Sequence, residues 1–251
     1  LVLAALVLAG PAARAQAPSP AAPAPADAAL DNYLLRWEQE MLKVQTLSAQ
    51  IVQVRKDKAF NTAQKLVGWA AYRKDGAGAS ALNLAAMELY PEGKKEFQEK
   101  YVCTGTYIYH FIPAQKEIKV YELPRPKEGQ VADDGFLAFM FGVRAKEARR
   151  RYDLRLDHED QYYVYVDIAP RFDRDKMDFR RARLVLNKDT FLPRQLWFES
   201  ANGDEVLWDL PRLQNGARID RRYFDKPQTP AGWRVTVVPT EPQPRVIRPA
   251  P

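Results

Sequence analysis

Residues Lys100 to Pro124 read KYVCTGTYIYHFIPAQKEIKVYELP, two β-rich runs on either side of a turn at Pro113. Neither run has a clean polar face. Tyr107, Tyr109 and Phe111 share one parity, and Ile108, His110 and Ile112 share the other. An antiparallel sheet with one solvated face alternates apolar and polar residues. This stretch therefore belongs to a sheet that is covered on both sides, and the rest of the chain must supply the covers.

Working outward, strands are predicted over Thr46 to Lys56, Ala63 to Lys74 and Ala79 to Tyr90, ahead of the pair Lys100–Pro113 and Lys116–Pro124. Further strands are predicted in RYDLRLDHED, QYYVYVDIAP, FRRARLVLNKD, FLPRQLWFES and EVLWDLPRL, with a last element between Arg221 and Val238. Two helices interrupt about ten strands. The first opens at Asp31 as N-cap and places Tyr33, Leu34, Trp37, Met41, Leu42 and Val44 at helical spacing. The second is the apolar segment DDGFLAFMFGV, where Phe136, Leu137, Phe139, Met140 and Phe141 leave almost no polar face. The expected class is α+β, one curved antiparallel sheet with helices laid over its inner face.

The termini differ in kind. LVLAALVLAG is too short to span a bilayer and is followed by Ala13-Arg14-Ala15, so residues 1–15 read as a signal peptide. Residues 16–30 are Pro/Ala-rich and read as a disordered linker, 31–238 as one domain, and 239–251 as a Pro-rich disordered tail. No cysteine follows the apolar run to accept a lipid anchor, so the expectation is a soluble periplasmic protein. The only cysteine, Cys103, has no partner for an internal disulfide and reads as a buried small hydrophobe.

Chemistry-bearing motifs are few. The net charge of +6 comes from basic runs mixed with acids, which describes a solvated surface and gives no nucleic-acid stripe. Asp157-His158-Glu159-Asp160 gathers three carboxylates and an imidazole, but in one local run rather than from converging elements, so it reads as a solvated hairpin loop. No nucleophile elbow, zinc motif, P-loop or dinucleotide fingerprint is present. The reading is of a protein that is not an enzyme and uses no metal or cofactor. Arg73 ends a strand in which Trp69 and Ala71 share its parity. It either points at the apolar helical region, where helix-end carbonyls would accept from it, or snorkels at the strand end.

These pieces together resemble a known family. Leu47 opens the first strand after the Trp37/Met41 helix, and Gly68-x-x-x-x-Arg73 lies in the second. Tyr107-x-Tyr109-x-x-x-Pro113, Phe139-Met140-Phe141-Gly142 and Phe224-x-x-Pro227 follow in order. The order resembles the LolA/LolB-like periplasmic lipoprotein carriers, in their longer planctomycete-type form, over about Asp31 to Val238. The resemblance implies a half-open β-barrel with helices as a lid over an apolar cavity that takes acyl chains. It also implies membrane-bound donor and acceptor proteins, and an arginine, here Arg73, that holds the lid helix shut. The carriers place proline after that arginine, whereas Lys74 stands here. The cavity and lid residues expected on this basis are Trp37, Met41, Leu47, Ile51, Trp69, Arg73, Phe136, Phe139, Met140 and Phe141. The expected partners are lipid or lipoprotein acyl chains, with no nucleic acid, and the expected state is a monomer. The alternative is a non-transporting envelope scaffold on the same fold.

Overall fold

In the computed structural model the described residues are 25–76, 81–123 and 144–239. Helix α1 spans Pro25–Lys43. It begins inside the stretch read as linker, six residues before Asp31. Proline is tolerated in a first helical turn, and the alanines that follow are strong helix formers. Asp31 is consequently a mid-helix residue, ion-paired to Arg149 at 2.6 Å.

Twelve strands form one sheet: β1 Thr46–Asp57, β2 Thr62–Asp75, β3 Leu82–Pro91, β4 Glu99–Cys103, β5 Tyr107–Ile112, β6 Glu117–Glu122, β7 Tyr152–Glu159, β8 Tyr163–Pro170, β9 Arg181–Asn187, β10 Pro193–Glu199, β11 Glu205–Asn215 and β12 Arg234–Val238. The order across the sheet is β12-β6-β5-β4-β3-β2-β1-β11-β10-β9-β8-β7, with β12 and β7 as its edges among the described residues. The sheet is thus an incomplete barrel. Every pairing is antiparallel except β12 on β6, which is parallel. Two short helices, α2 Ala145–Arg151 and α3 Asp173–Lys176, flank the β7–β8 hairpin.

The strand expected over Lys100–Pro113 is two strands. Gly105 sits at φ +87° between them, in the left-handed region that suits glycine. A Cβ there would come within 2.8 Å of the Leu82 side chain. The chain therefore reverses at Thr104–Thr106, inside a run whose apolar content looks continuous.

The sheet curls. Arg55 on β1 and Glu99 on β4 meet at 2.8 Å although β2 and β3 lie between them. Three strand spacings cover about 14 Å, which side chains standing off a flat sheet would not close. Gly68 on β2 permits part of this bend, since a Cβ there would collide with the β3 backbone at Glu88.

Pairing registers define two faces. The inner, concave face carries Ala49, Ile51 and Gln53 of β1 opposite Ala70, Gly68 and Leu66 of β2. It continues through Trp208, Leu196, Leu184 and Val166 to Leu156 of β7. Helix α1 lays Leu30, Leu34 and Trp37, all buried, on this face over β7–β10, with Tyr33 and Met41 at the margin. Each such side chain contributes about 1.5–3 kcal/mol by burial. Glu38 of α1 accepts from the Ala145 N–H at 2.9 Å and so caps α2, whose own N-cap residue, Arg144, makes no side-chain cap. A bidentate pair, Arg151 to Asp175 at 2.9 and 2.7 Å, ties α2 to α3 with the carboxylate buried.

The other half of the sheet buries the opposite face. Ala71, Leu84 and Ala86 pack with Phe224, Trp69 and Ile219. Val102, Tyr109, Phe111, Ile118 and Val120 pack with Phe97 and Trp233. The cover here is the segment after β11, including a 3₁₀ turn at Arg221–Phe224, and not a helix of the inner layer. Tyr109 and Phe111 are closed off by Trp233 of this C-terminal strap together with Phe97.

Candidate functional site

On β2 to β5 the outer face buries Ala71, Leu84, Ala86, Val102, Tyr109 and Phe111, while on the inner face Leu66 and Leu89 are buried and a set of other side chains remains partly exposed. They are Ala70 and Tyr72 on β2, Ala85 and Met87 on β3, Tyr101 and Cys103 on β4, and Ile108 and His110 on β5. Alternation in each strand brings them into one band, and Ala49, Ile51 and Leu210 join that band to the helix-covered core. Trp208 touches both clusters and marks the join. Small residues at 49, 70 and 85 form a low floor; Tyr72, Met87, Tyr101 and Ile108 stand higher beside it.

The band is a poorly solvated surface. Burial pushes the Tyr72 phenol up to about 12, and its hydroxyl donates to Asn83 Oδ1 at 2.8 Å. Burial likewise pushes Tyr101 up and His110 down. The two rings stack with centroids 4.2 Å apart. Cys103 is only partly buried, contrary to expectation, and its thiol donates to the Asn83 carbonyl at 3.3 Å.

One end of the band is polar. Arg55 pairs with Glu99, and the Gln64 and Gln98 amides bond each other at 2.8 and 3.1 Å. A groove of about 720 Å³ opens beside them, lined by Glu99, His110 and Ile112 with Lys94, Phe97 and Gln98 of the β3–β4 connection. Gln53 lies deeper, fully buried on the inner face of β1, and among the described residues neither atom of its amide finds a hydrogen-bond partner.

The residues expected to form the site divide. Trp37 is sealed in the core, with Met41 beside it, and Ile51 is buried on the inner face with Leu47 partly buried on the same face. Trp69 and Arg73 face the outer side. Trp69 meets Tyr223 edge-on at 5.7 Å. Arg73 Nη1 donates to the Ile219 carbonyl at 3.5 Å, and Nη2 lies 3.6 Å from Asp75. It borders a recess of about 480 Å³ shared with Thr46, Ala217 and Asp220. The parity of Trp69, Ala71 and Arg73 thus faces the C-terminal strap. Phe136, Phe139, Met140 and Phe141, and with them the latch expected of Arg73, lie outside the described residues. Reading the sequence alone missed Tyr72, Met87, Tyr101, Ile108 and His110. The available signal was that both parities of β5 are apolar.

The Asp157–Asp160 run is a paired surface network. His158 Nδ1 is 2.8 Å from Asp157 and stacks on Tyr165, Glu159 pairs with Lys188, and Asp160 accepts from the Tyr162 and Tyr163 N–H groups. Hydrogen bonds to His158, first of all, hold Asp157 below the usual carboxylate range, and backbone donors do so for Asp160. Among the described residues no group of three or more His, Cys, Asp or Glu is placed to hold a metal.

An open antiparallel-rich sheet, curled round a helix on its concave side and not closed into a barrel, is the architecture that the LolA/LolB resemblance implies. No protein-family model matches the chain, and none of the curated proteins matches it. Solved structures do. An uncharacterized conserved protein from Thermus thermophilus aligns at 12% identity over 84% of this chain and 99% of its own, with a TM-score of 0.49. The LolA superfamily protein NE2245 from Nitrosomonas europaea aligns at 11% identity over 78% and 97%, with a TM-score of 0.37. A chain of the Pseudomonas aeruginosa MucA/MucB complex aligns at 15% identity over 78% of this chain and 60% of its own, with a TM-score of 0.45. These are likenesses of fold. No helix among the described residues is long and apolar enough to cross a membrane.

Proposed function

We propose that this chain is an exported carrier that holds the acyl chains of lipids or lipoproteins along the inner face of β2 to β5. The observation that carries the reading is the band itself. It is a continuous row of partly exposed apolar and aromatic side chains, on the face that elsewhere in the same sheet is sealed by α1. An acyl chain laid on it gains about 0.8 kcal/mol for each CH₂ removed from water. The low floor at Ala49, Ala70 and Ala85 leaves room between the taller side chains. The Arg55–Glu99 end gives the ligand's polar head a charged neighbour while its tail lies on the apolar band. Binding and release need no cofactor and no bond chemistry. The leader-like residues 1–15 support a place for the carrier in the periplasm, between a membrane-bound donor and an acceptor.

The test is native mass spectrometry of the protein recovered from a bacterial periplasm, with organic extraction of what it holds. A stoichiometric lipid or acyl-peptide is the expected result. Repeated absence of any adduct, together with no uptake of a fluorescent fatty acid, would overturn the carrier and favour the scaffold.

A further inference from the structure

The two edges of the sheet are built differently. β7 carries Asp153, Arg155, Asp157 and Glu159 along its length, and its register shifts between Leu156 and His158. Charge and a bulge of this kind discourage edge-to-edge pairing. β12 has neither along Val235–Val238, and its Val235 and Val237 side chains are 50% and 67% exposed.

The parallel register fixes which main-chain groups of β12 are free. Arg234 N–H donates to the Lys116 carbonyl at 3.0 Å, and Arg234 pairs with Glu117. Arg234, Thr236 and Val238 therefore turn their peptide groups toward β6. Val235 and Val237 turn theirs outward, and among the described residues no strand meets them. Below the edge, the buried Glu117 carboxylate accepts from Thr236 Oγ1 at 2.7 Å and pairs with Arg234 at 3.1 Å, so β12 is pinned to the sheet as a rigid rim.

In place of the monomer expected from the sequence, we propose that two copies of this chain associate through β12, antiparallel about a twofold axis at Thr236. That axis sets Val235 of one copy opposite Val237 of the other. Both residues have outward peptide groups, so they form the hydrogen-bonded pairs, with apolar side chains adjacent on the outer face. Thr236 meets Thr236 as the non-hydrogen-bonded pair, and each Arg234 falls opposite a Val238, so no like charges oppose. A five-residue edge is about 17 Å long and falls short of the roughly 1,200 Å² of a stable interface, so the dimer is weak and concentration-dependent.

Sedimentation of the full chain across micromolar to near-millimolar concentrations reads this directly. The wild type goes from monomer to dimer. Val235→Lys/Val237→Lys sets lysine against lysine and weakens association about tenfold or more, as does the corresponding pair of glutamates. Mixing the two variants restores a heterodimer. Exchange protection at the Arg234 and Thr236 amides, retained in both variants, shows that β12 stays docked. In a Cys103→Ser background, Thr236→Cys oxidises to a covalent dimer and Val235→Cys does not. A wild type that is monomeric throughout, variants that associate as it does, or a dimer that appears only after removal of residues 240–251 would each overturn the proposal. The last outcome would mean that the chain's own tail takes the edge.

Discussion

The two halves of this sheet solve the same packing problem on opposite sides. From β7 to β10 the inner face is sealed by α1, and the outer face carries solvated charge such as Arg183 and Asp167, which pair at 2.7 Å. From β2 to β6 a strap without regular helix packs on the outer face, and the inner face, apart from the buried Leu66 and Leu89, keeps its apolar side chains only partly covered. The strands of the helical half place charge on their outer positions, whereas β5 is apolar on both parities, and the cover sits accordingly on opposite faces. The lesson is that an apolar row marks a binding surface only once it is known which row the fold has already used for its core.

The largest effect should come from removing the inner-face anchor of the helical half. Trp37→Ala is expected to cost about 3–5 kcal/mol in chemical denaturation, because it empties a fully buried indole site. Arg151→Met should cost a similar amount, about 3–5 kcal/mol, by leaving the buried Asp175 carboxylate without its guanidinium partner. Phe224→Ala sharpens the contrast: about 3 kcal/mol is lost, with amide exchange rising on β2 and β3 and remaining slow on β8 and β9. Uniform deprotection would show that the two cores are one unit. Gln53→Met should raise stability by about 1–2 kcal/mol, because a buried amide with no hydrogen-bond partner is replaced by a side chain of similar shape.

The smallest effect is one of pH. The Thr236 hydroxyl and the Arg234 guanidinium hold Glu117 below its ordinary 4.5. The unfolded chain therefore takes up this proton more readily than the folded one. The contribution of the carboxylate to holding β12 is complete above about pH 4.5 and is lost as pH falls through the lower folded-state value. Exchange at the Thr236 and Val238 amides should rise in that window, and Glu117→Gln should produce the same rise at neutral pH. A neutral-pH rate unchanged in Glu117→Gln, with the same acid-dependent rise as in the wild type, would show that the carboxylate does not hold the strand.

Much of the fold is legible in the sequence, because period-two alternation and turn residues mark strands whatever their partners. The class, most strand positions and the amphipathic face of α1 follow from local pattern. Which face of each strand is buried does not, since β5 is apolar on both parities and the strap that decides between them has no periodicity. Trp69 and Arg73 read as cavity residues for that reason: their parity is apolar, but Phe224 and Ile219, more than a hundred residues on, claim it. The helix start is hidden by an alanine-rich stretch that has the composition of a linker, and the Gly105 reversal by uninterrupted β-formers around it.

Cys103, the sole thiol of the chain, stands in the inner band beside Tyr101 and Ile108 and gives the most direct measurement. Its rate of modification by a small aromatic disulfide should be measured with and without a saturating long-chain fatty acid whose binding is established by native mass spectrometry. If acyl chains lie along β2 to β5, the ligand slows the reaction severalfold, and Met87→Lys, which leaves the thiol in place, abolishes the protection. A rate unchanged by bound ligand would place the acyl chain elsewhere and contradict the assignment of the inner face.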